Sequence, residues 1–205
     1  HVPVVRVLAV LADQVRSDAA GPEEMRQGHH VLVLGRRGNG PEAQILARDR
    51  THELGMTVPA YKGYVTDYAN VLSPQTLAQL TSLSSQLEQR THIQVVTLVL
   101  PSIEDEPIES VANLVFNQWG IGDKKENRGV LLIFALKEKK LRLEVGYGIE
   151  STLTDGTCGK IRDTIILPYL KANDIEAGIA NGHTAIVQFI AHANNVSLTN
   201  APTVT

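Results

Sequence analysis

Leucines recur at helical spacing in the segment that follows Ser73. The stripe consists of Leu77, Leu80, Leu83 and Leu87. Because residues three and four apart share a face of an α-helix, this pattern predicts a helix that packs its leucines into a core. Ser73 and Pro74 are residue types that favour a helix start. Residues 107–120 show apolar positions at the same spacing and predict a second helix.

Runs of β-branched and aliphatic residues alternate with these helices. Residues 93–100 carry no charge and predict a buried strand. Residues 129–136 and 141–146 predict two further strands, which the short charged connection KEKK joins as a β-hairpin. Apolar and polar residues alternate in the last strand, so Arg142 and Glu144 are expected to face solvent.

Two more helical patterns follow the hairpin. Residues 160–174 form the first, and Pro168 is expected to kink or end it because proline donates no backbone hydrogen bond. Residues 175–193 form the second. With a short strand near residues 63–67, the order predicts an α/β fold in which a small mixed β-sheet is sandwiched between helices (αβα). The first strand–helix–strand unit should be a right-handed crossover.

The arginine and lysine content changes near residue 61. Residues 1–61 contain seven arginines and no lysine, whereas the rest of the chain contains eight lysines and four arginines. The first segment is rich in helix and strand breakers and has too few apolar residues for a core of its own. We interpret residues 1–61 as a flexible or added extension, residues 62–193 as the α/β domain and residues 194–205 as a loose tail.

Composition excludes several classes of function. The net charge of −3 argues against nucleic-acid binding, which requires a clustered positive surface. No apolar run approaches the roughly 20 residues that span a bilayer, so no transmembrane segment is expected. The single cysteine, Cys158, permits no internal disulfide and is expected to be a small buried side chain. The histidines are scattered, and His183 is expected at the surface or in helix packing rather than in catalysis.

Three polar loops could carry chemistry. Asp67 precedes the first helix, residues 123–128 precede the hairpin, and Glu150 and Asp155 follow it. Gly146 and Gly148 would let the backbone turn sharply or approach another group closely. Ca²⁺ takes six to eight oxygen ligands, which separated loops can supply together. Spacing alone leaves two interpretations open: helix caps and solvated turns, or a shared cation or active site.

Several motifs in order resemble one family. GYVTDYANVLS, ENRGVLLIFAL and LRLEVGYGIESTLTDG are similar to the TPM domain family, named for thylakoid acid phosphatase-like proteins, a photosystem II repair factor and a nematode acetylcholine-receptor modulator. The likeness runs from about Tyr64 to Ala191. The resemblance implies an α/β sandwich, commonly secreted or membrane-tethered, with bound divalent cations in some members and an acid-phosphatase activity in the plant branch.

Carried over by motif position, the resemblance implies a metal site at Asp67, Asn127, Glu150 and Asp155, with Ca²⁺ as the cation and Mg²⁺ or another divalent ion as the alternative. It places the domain in the periplasm, another extracytoplasmic compartment or at a membrane, as a monomer that serves membrane-protein maintenance or partner binding. A second hypothesis is a metal-assisted phosphatase that uses Asp67 and Asp155 as catalytic residues on a phosphorylated substrate. A third is a purely structural interaction domain.

Overall fold

The structure is a computed structural model that describes residues 57–123, 125–202 and 204. Most of the predicted extension, residues 1–56, lies outside the described residues. The described residues contain four strands: β1 (Val65–Asp67), β2 (Gln94–Leu100), β3 (Gly129–Ala135) and β4 (Lys140–Val145). The α-helices of the described part are α1 (Pro74–Thr91), α2 (Ile108–Trp119), α3 (Asp155–Ile161), α4 (Leu167–Lys171) and α5 (Ile175–Ala193). A 3-10 turn spans Tyr147–Ile149.

The four strands form one mixed sheet in the order β1-β2-β3-β4. Strands β1, β2 and β3 are parallel, and β4 is antiparallel to β3. The sheet therefore has a carboxyl edge, at the level of Asp67, Leu100 and Ala135, and an amino edge, at the level of Gln94 and Gly129. Because β4 runs in reverse, its last residue, Val145, pairs with Val130 and lies at the amino edge.

Helices cover both faces of the sheet, as the hydrophobic pattern predicts. Helices α1, α3 and α5 contribute to a core cluster with one face, whereas α2 packs on the other. All seven residues of β3 are buried, as expected for a central strand without a solvent face. The leucine stripe of α1 is confirmed: Leu80, Leu83 and Leu87 are buried, and Leu77 packs against the same cluster.

The expectation that Arg142 and Glu144 face solvent is wrong. They point to the face opposite Leu141 and Leu143, and α2 covers that face, so only 3% of Arg142 and 5% of Glu144 is exposed. Arg142 Nε donates to Glu144 Oε2 at 2.8 Å, which compensates part of the desolvation of both charges. Arg142 Nη1 is buried and has no hydrogen-bond partner among the described residues.

Pro168 changes the geometry of its helix without ending it. A π-helical turn, Arg162–Ile166, joins α3 to α4, which continues through the proline to Lys171. At this turn the N–H of Leu167 donates to the carbonyl of Arg162, five residues earlier. Pro168 has no N–H to donate in the regular hydrogen-bond pattern of an α-helix. The π-helical turn before it, which is one residue wider, accommodates this missing donor.

The chain after α5 packs back on the domain instead of hanging loose. Val196, Leu198 and Ala201 pack against the core cluster, and Val204 is only 4% exposed. None of the described helices is long and apolar enough to cross a membrane.

Candidate functional site

Asp67 ends β1 at the carboxyl edge, and its carboxylate organises the loop that follows. Oδ1 accepts a hydrogen bond from the N–H of Ala69 at 2.9 Å. Oδ2 accepts from the N–H groups of Val71 and Leu72, each at 2.8 Å. Both oxygens thus satisfy backbone donors between β1 and α1, which gives Asp67 a structural duty that its sequence position did not reveal.

Asn127, Glu150 and Asp155 lie toward the other edge of the sheet. Asn127 is two residues before β3, and its carbonyl accepts from the N–H of Gly148 at 3.1 Å. The chain stays compact after that contact, because the N–H of Leu153 donates to the carbonyl of Ile149 at 2.8 Å. Asp155 begins α3 two residues later, and Thr154 rather than Asp155 is the N-cap.

The described strands therefore direct the four predicted residues toward two different edges of the sheet. Asp67 is level with Val99 of β2, whereas the loop that contains Asn127 adjoins Gln94 at the start of that strand. Five residues of extended chain separate the two levels, or about 17 Å at roughly 3.3 Å per residue. The predicted catalytic pair, Asp67 and Asp155, follows strands that end at these two edges; like the four-residue metal site, it stays a prediction.

Gly146 and Gly148 are required by the close approach of the loop before β3. A Cβ on Gly146 would lie 2.1 Å from the carbonyl oxygen of Asn127, and one on Gly148 would lie 2.0 Å from the carbonyl oxygen of Glu126. The contact with Asn127 is reinforced by the Gly148 N–H. The two glycines thus allow the loop after β4 to pack against the loop before β3. They are not needed for a sharp turn of the chain out of the sheet.

The described residues of the loop before β3, 120–123 and 125–128, are held by hydrogen bonds from their backbone N–H groups. Gly122 adopts a φ of 82° and its N–H donates to Gln94 Oε1 at 2.9 Å. Its carbonyl accepts from the N–H of Arg128 at 2.7 Å. Asp123 Oδ1 accepts from the N–H groups of Lys125 and Glu126 at 2.6 and 2.7 Å. The bond from Glu126, followed by that from Lys125, lowers the pKa of the Asp123 carboxyl below its usual value.

Both large hydrophobic side chains that are strongly exposed in the described part lie near this edge. Tyr147 stands in the turn between the two glycines and is 70% exposed. Tyr61 is 44% exposed and packs edge-on against Trp119, with ring centroids 5.1 Å apart. Trp119 ends α2 directly before residues 120–128 and donates to the carbonyl of Pro59 at 2.9 Å. We call residues 120–123, 125–128 and 146–150 the amino-edge platform.

The charged residues of the platform do not form a compact acidic group. Glu126 pairs loosely with Arg128, with 3.7 Å between Oε2 and Nη1. Among the described residues, no three His, Cys, Asp or Glu side chains are close enough to hold a metal ion together. A calcium ion bound at the platform would need amide, backbone carbonyl or water oxygens in addition to Glu150 or Asp155.

Sequence reasoning missed a buried polar trio in the core. His183 of α5 is fully buried, with Nε2 3.0 Å from Ser84 Oγ and Nδ1 2.8 Å from Thr97 Oγ1. Ser84 donates to the carbonyl of Val95 at 2.7 Å, so it accepts from Nε2–H, and Thr97 donates to Nδ1. Burial lowers the pKa of His183 to about 4.

The trio joins α1, β2 and α5 and has no exposed member. The distance between Ser84 and His183 is that of a nucleophile–base pair. Ser84 is buried, however, so no substrate can reach it. His183 is therefore a helix-packing residue, one of the two roles expected for it. The only sequence signal was a histidine among apolar residues of a long helix.

Comparisons with known proteins agree with this architecture. Residues 65–189 match the family model described as the TPM domain. No curated protein matches the chain. The N-terminal domain of a P. gingivalis protein, solved by NMR, is 28% identical and superposes with a TM-score of 0.61 over 67% of this chain and 87% of its own.

Two further NMR structures share the fold at lower identity. The N-terminal domain of a Corynebacterium glutamicum protein is 14% identical, with a TM-score of 0.51 over 72% of this chain and 90% of its own. The BA42 protein of the psychrophilic bacterium Bizionia argentinensis is 17% identical, with a TM-score of 0.52 over 62% and 86%. At these identities the likeness concerns the fold alone.

Proposed function

Because this chain belongs to the TPM domain family, we propose that it is a binding module that docks a partner on its amino-edge platform, with catalysis secondary or absent. The observation that carries the proposal is the exposure of Tyr147 on a turn that is fixed on both sides. Burial of an exposed aromatic side chain by a partner stabilises the complex, and aromatic residues dominate many interfaces.

The rigidity of the platform supports the same function. Gly146 and Gly148 press against the backbone of Asn127 and Glu126, and Gln94 ties Gly122 to β2. A partner therefore meets loops that are already ordered, so little conformational entropy is lost on binding. Metal-assisted phosphatase chemistry has less support, because both oxygens of Asp67, one of its two predicted carboxylates, already accept backbone hydrogen bonds. The nature of the partner, a membrane protein by family resemblance, stays a prediction.

Site-specific crosslinking tests the platform. A photoreactive phenylalanine analogue at position 147 should capture one dominant partner in membranes of the producing cell. The same analogue at Lys171, an exposed position at the end of α4, is the matched control. With the captured partner purified, Tyr147→Ser should weaken binding at least tenfold, about 1.4 kcal/mol, and Lys171→Ser should not. Equal capture at both positions, or an unchanged dissociation constant for Tyr147→Ser, would refute the proposal.

Calcium binding stays a separate prediction, now restricted to Asn127, Glu150 and Asp155. Titration of the full chain with Ca²⁺ should move the NMR signals of these residues and leave those of Asp67 in place, because Asp67 lies at the other edge. Glu150→Gln combined with Asp155→Asn should abolish the shifts. A Mg²⁺ titration would rank the two cations. If the signals stay unchanged at millimolar Ca²⁺, the calcium prediction is wrong.

A further inference from the structure

One arginine of the amino-edge platform, Arg128, differs from the other arginines of the described residues. There are four of them in that part of the chain, and three donate side-chain hydrogen bonds to other residues of the domain. The guanidinium group of Arg128 donates none to the described residues. The three donors are Arg90, Arg142 and Arg162, with Ser197, Glu144 and Asp163 as their respective acceptors.

The ion pair of Arg128 with Glu126 is long and lies largely in water. Glu126 Oε2 is 3.7 Å from Arg128 Nη1, which is beyond hydrogen-bond distance, and 60% of the Glu126 side chain is exposed. Such a pair contributes little free energy, because water screens the attraction and both side chains lose conformational freedom. Glu126 can therefore be replaced at the guanidinium group by an acceptor with better geometry.

The backbone and the stem of Arg128 are nevertheless fixed. Its N–H donates to the carbonyl of Gly122 at 2.7 Å, and its carbonyl accepts from the N–H of Gln94 at 3.0 Å. Its Cγ packs so closely on Gly148 that a Cβ there would lie 2.8 Å from it. Only 29% of the Arg128 side chain is exposed. The side chain thus starts from an ordered loop and packs on the residue that follows Tyr147.

We propose that Arg128 binds a carboxylate of the partner that docks on the amino-edge platform, an inference that rests on the proposed function. The partner segment carries an aspartate or glutamate next to an apolar residue. The acid replaces Glu126 at the guanidinium group, and the apolar residue covers Tyr147. A guanidinium group offers N–H donors in a planar fork, which matches a carboxylate through two parallel hydrogen bonds. Arginine and tyrosine are also enriched among the residues that dominate interface energies.

The charge of the platform favours a carboxylate over a phosphate group. The platform includes the carboxylates of Asp123, Glu126 and Glu150. A phosphate monoester carries a charge of about −1.5 to −2 at pH 7, more than a carboxylate does, so these acids repel it more strongly. The exposed ring of Tyr147 adds an apolar contact that a protein segment can use. An acidic protein segment therefore fits the platform better than a phosphorylated one.

The test selects ligands without assuming the natural partner. A displayed library of short random peptides is selected on the full wild-type chain and depleted on Tyr147→Ser. The selected peptides should share an aspartate or glutamate beside an aromatic or aliphatic residue. For the tightest of them, Arg128→Gln should raise the dissociation constant about tenfold through the loss of charge-assisted hydrogen bonds. Arg162→Gln is the matched control and should leave it unchanged, because Arg162 is already bonded to Asp163.

Two further changes separate recognition of the acid from a structural effect on the loop. Glu126→Gln should lower the dissociation constant by about two- to threefold, because a competing carboxylate is removed. Replacement of the peptide's acid by its amide should cost as much affinity as Arg128→Gln. The two losses should not add when both changes are combined, since each removes the same contact.

Three results would overturn the inference. One is a Tyr147-dependent peptide that binds wild type and Arg128→Gln equally, in which case the proposed function still stands. The second is tighter binding when phosphoserine replaces the acid, because the preferred anion would then be a phosphate. The third is a selection without Tyr147-dependent peptides, which would count against the proposed function as well. If Arg128→Gln is unfolded by circular dichroism, the acid-to-amide peptide on wild-type protein decides.

Discussion

At the scale of the residue, hydrogen-bond partners decide what a polar side chain does in this domain. Asp67 stands in the family's acidic motif, yet both of its oxygens accept bonds from backbone N–H groups. His183 has the chemistry of a general base, yet both ring nitrogens engage buried hydroxyl groups. Each residue type suggests catalysis, and each set of contacts indicates structure instead.

We expect Asp67→Ala to destabilise the protein by about 2–4 kcal/mol, because three partly buried N–H groups lose their acceptor. The same change at Asp155, an exposed residue in the first turn of α3, should cost less than about 1 kcal/mol through the helix dipole. Urea unfolding measures both variants. A loss at Asp155 as large as that at Asp67 would contradict the assigned roles.

His183 should make the protein sensitive to acid. Its pKa is about 4 in the folded state and about 6.5 in the unfolded state, so the unfolded state binds more protons in this window. Stability should therefore fall as the pH drops from about 6.5 to about 4, by roughly 3 kcal/mol from this residue, and stay level with respect to it above that window.

The measurement is the unfolding free energy at pH 7 and at pH 4.5 for the wild type and for His183→Gln, whose amide can still donate to Ser84. The carboxyl groups of Glu138 and Glu176, whose pKa values are lowered in the fold, titrate in both proteins and cancel in the comparison. The same loss in both proteins would show that His183 does not carry the effect.

At the scale of the element, the hairpin determines where the loops meet. The hydrophobic pattern predicts the strands and helices well, because periodicity reports which residues are buried. It does not report which edge of the sheet a loop joins. Strand β4 reverses direction, so Glu150 and Asp155 follow it toward the amino edge, whereas Asp67 follows a parallel strand to the carboxyl edge. The predicted hairpin already implied this separation.

The side chains of β4 show a second limit of pattern analysis. Alternation places Arg142 and Glu144 on one face, but it does not reveal that α2 reaches across the sheet and covers that face. The buried ion pair and the trio around His183 both depend on contacts between residues distant in sequence. Local patterns carry no signal for such contacts.

The junction of the two platform loops yields a prediction with an internal control. Gly146→Ala should destabilise the protein by at least about 2 kcal/mol, because its Cβ would strike the carbonyl oxygen of Asn127. Gly156→Ala, in the first turn of α3 with open space around it, should be neutral or stabilise by about 0.5–1 kcal/mol. Thermal unfolding separates the two. Similar melting temperatures would show that the loops can move apart.

At the scale of the whole molecule, the amino-edge platform presents an exposed aromatic side chain on fixed loops, whereas Val196, Leu198 and Val204 after α5 pack back against the core cluster. The family resemblance, confirmed over residues 65–189, predicted the sandwich but neither of these features. Both depend on exposure and on tertiary contacts, which a motif does not encode.

The order β1-β2-β3-β4 also has a consequence for synthesis of the protein. Each strand that leaves the ribosome finds its sheet neighbour already made, so the sheet can grow in the direction of translation. Helix α5 comes last, and it carries the imidazole that Ser84 and Thr97 require. Until His183 emerges, the hydroxyl groups of Ser84 on α1 and Thr97 on β2 lack the imidazole that they contact in the finished domain. Completion of the core therefore waits for the end of the domain.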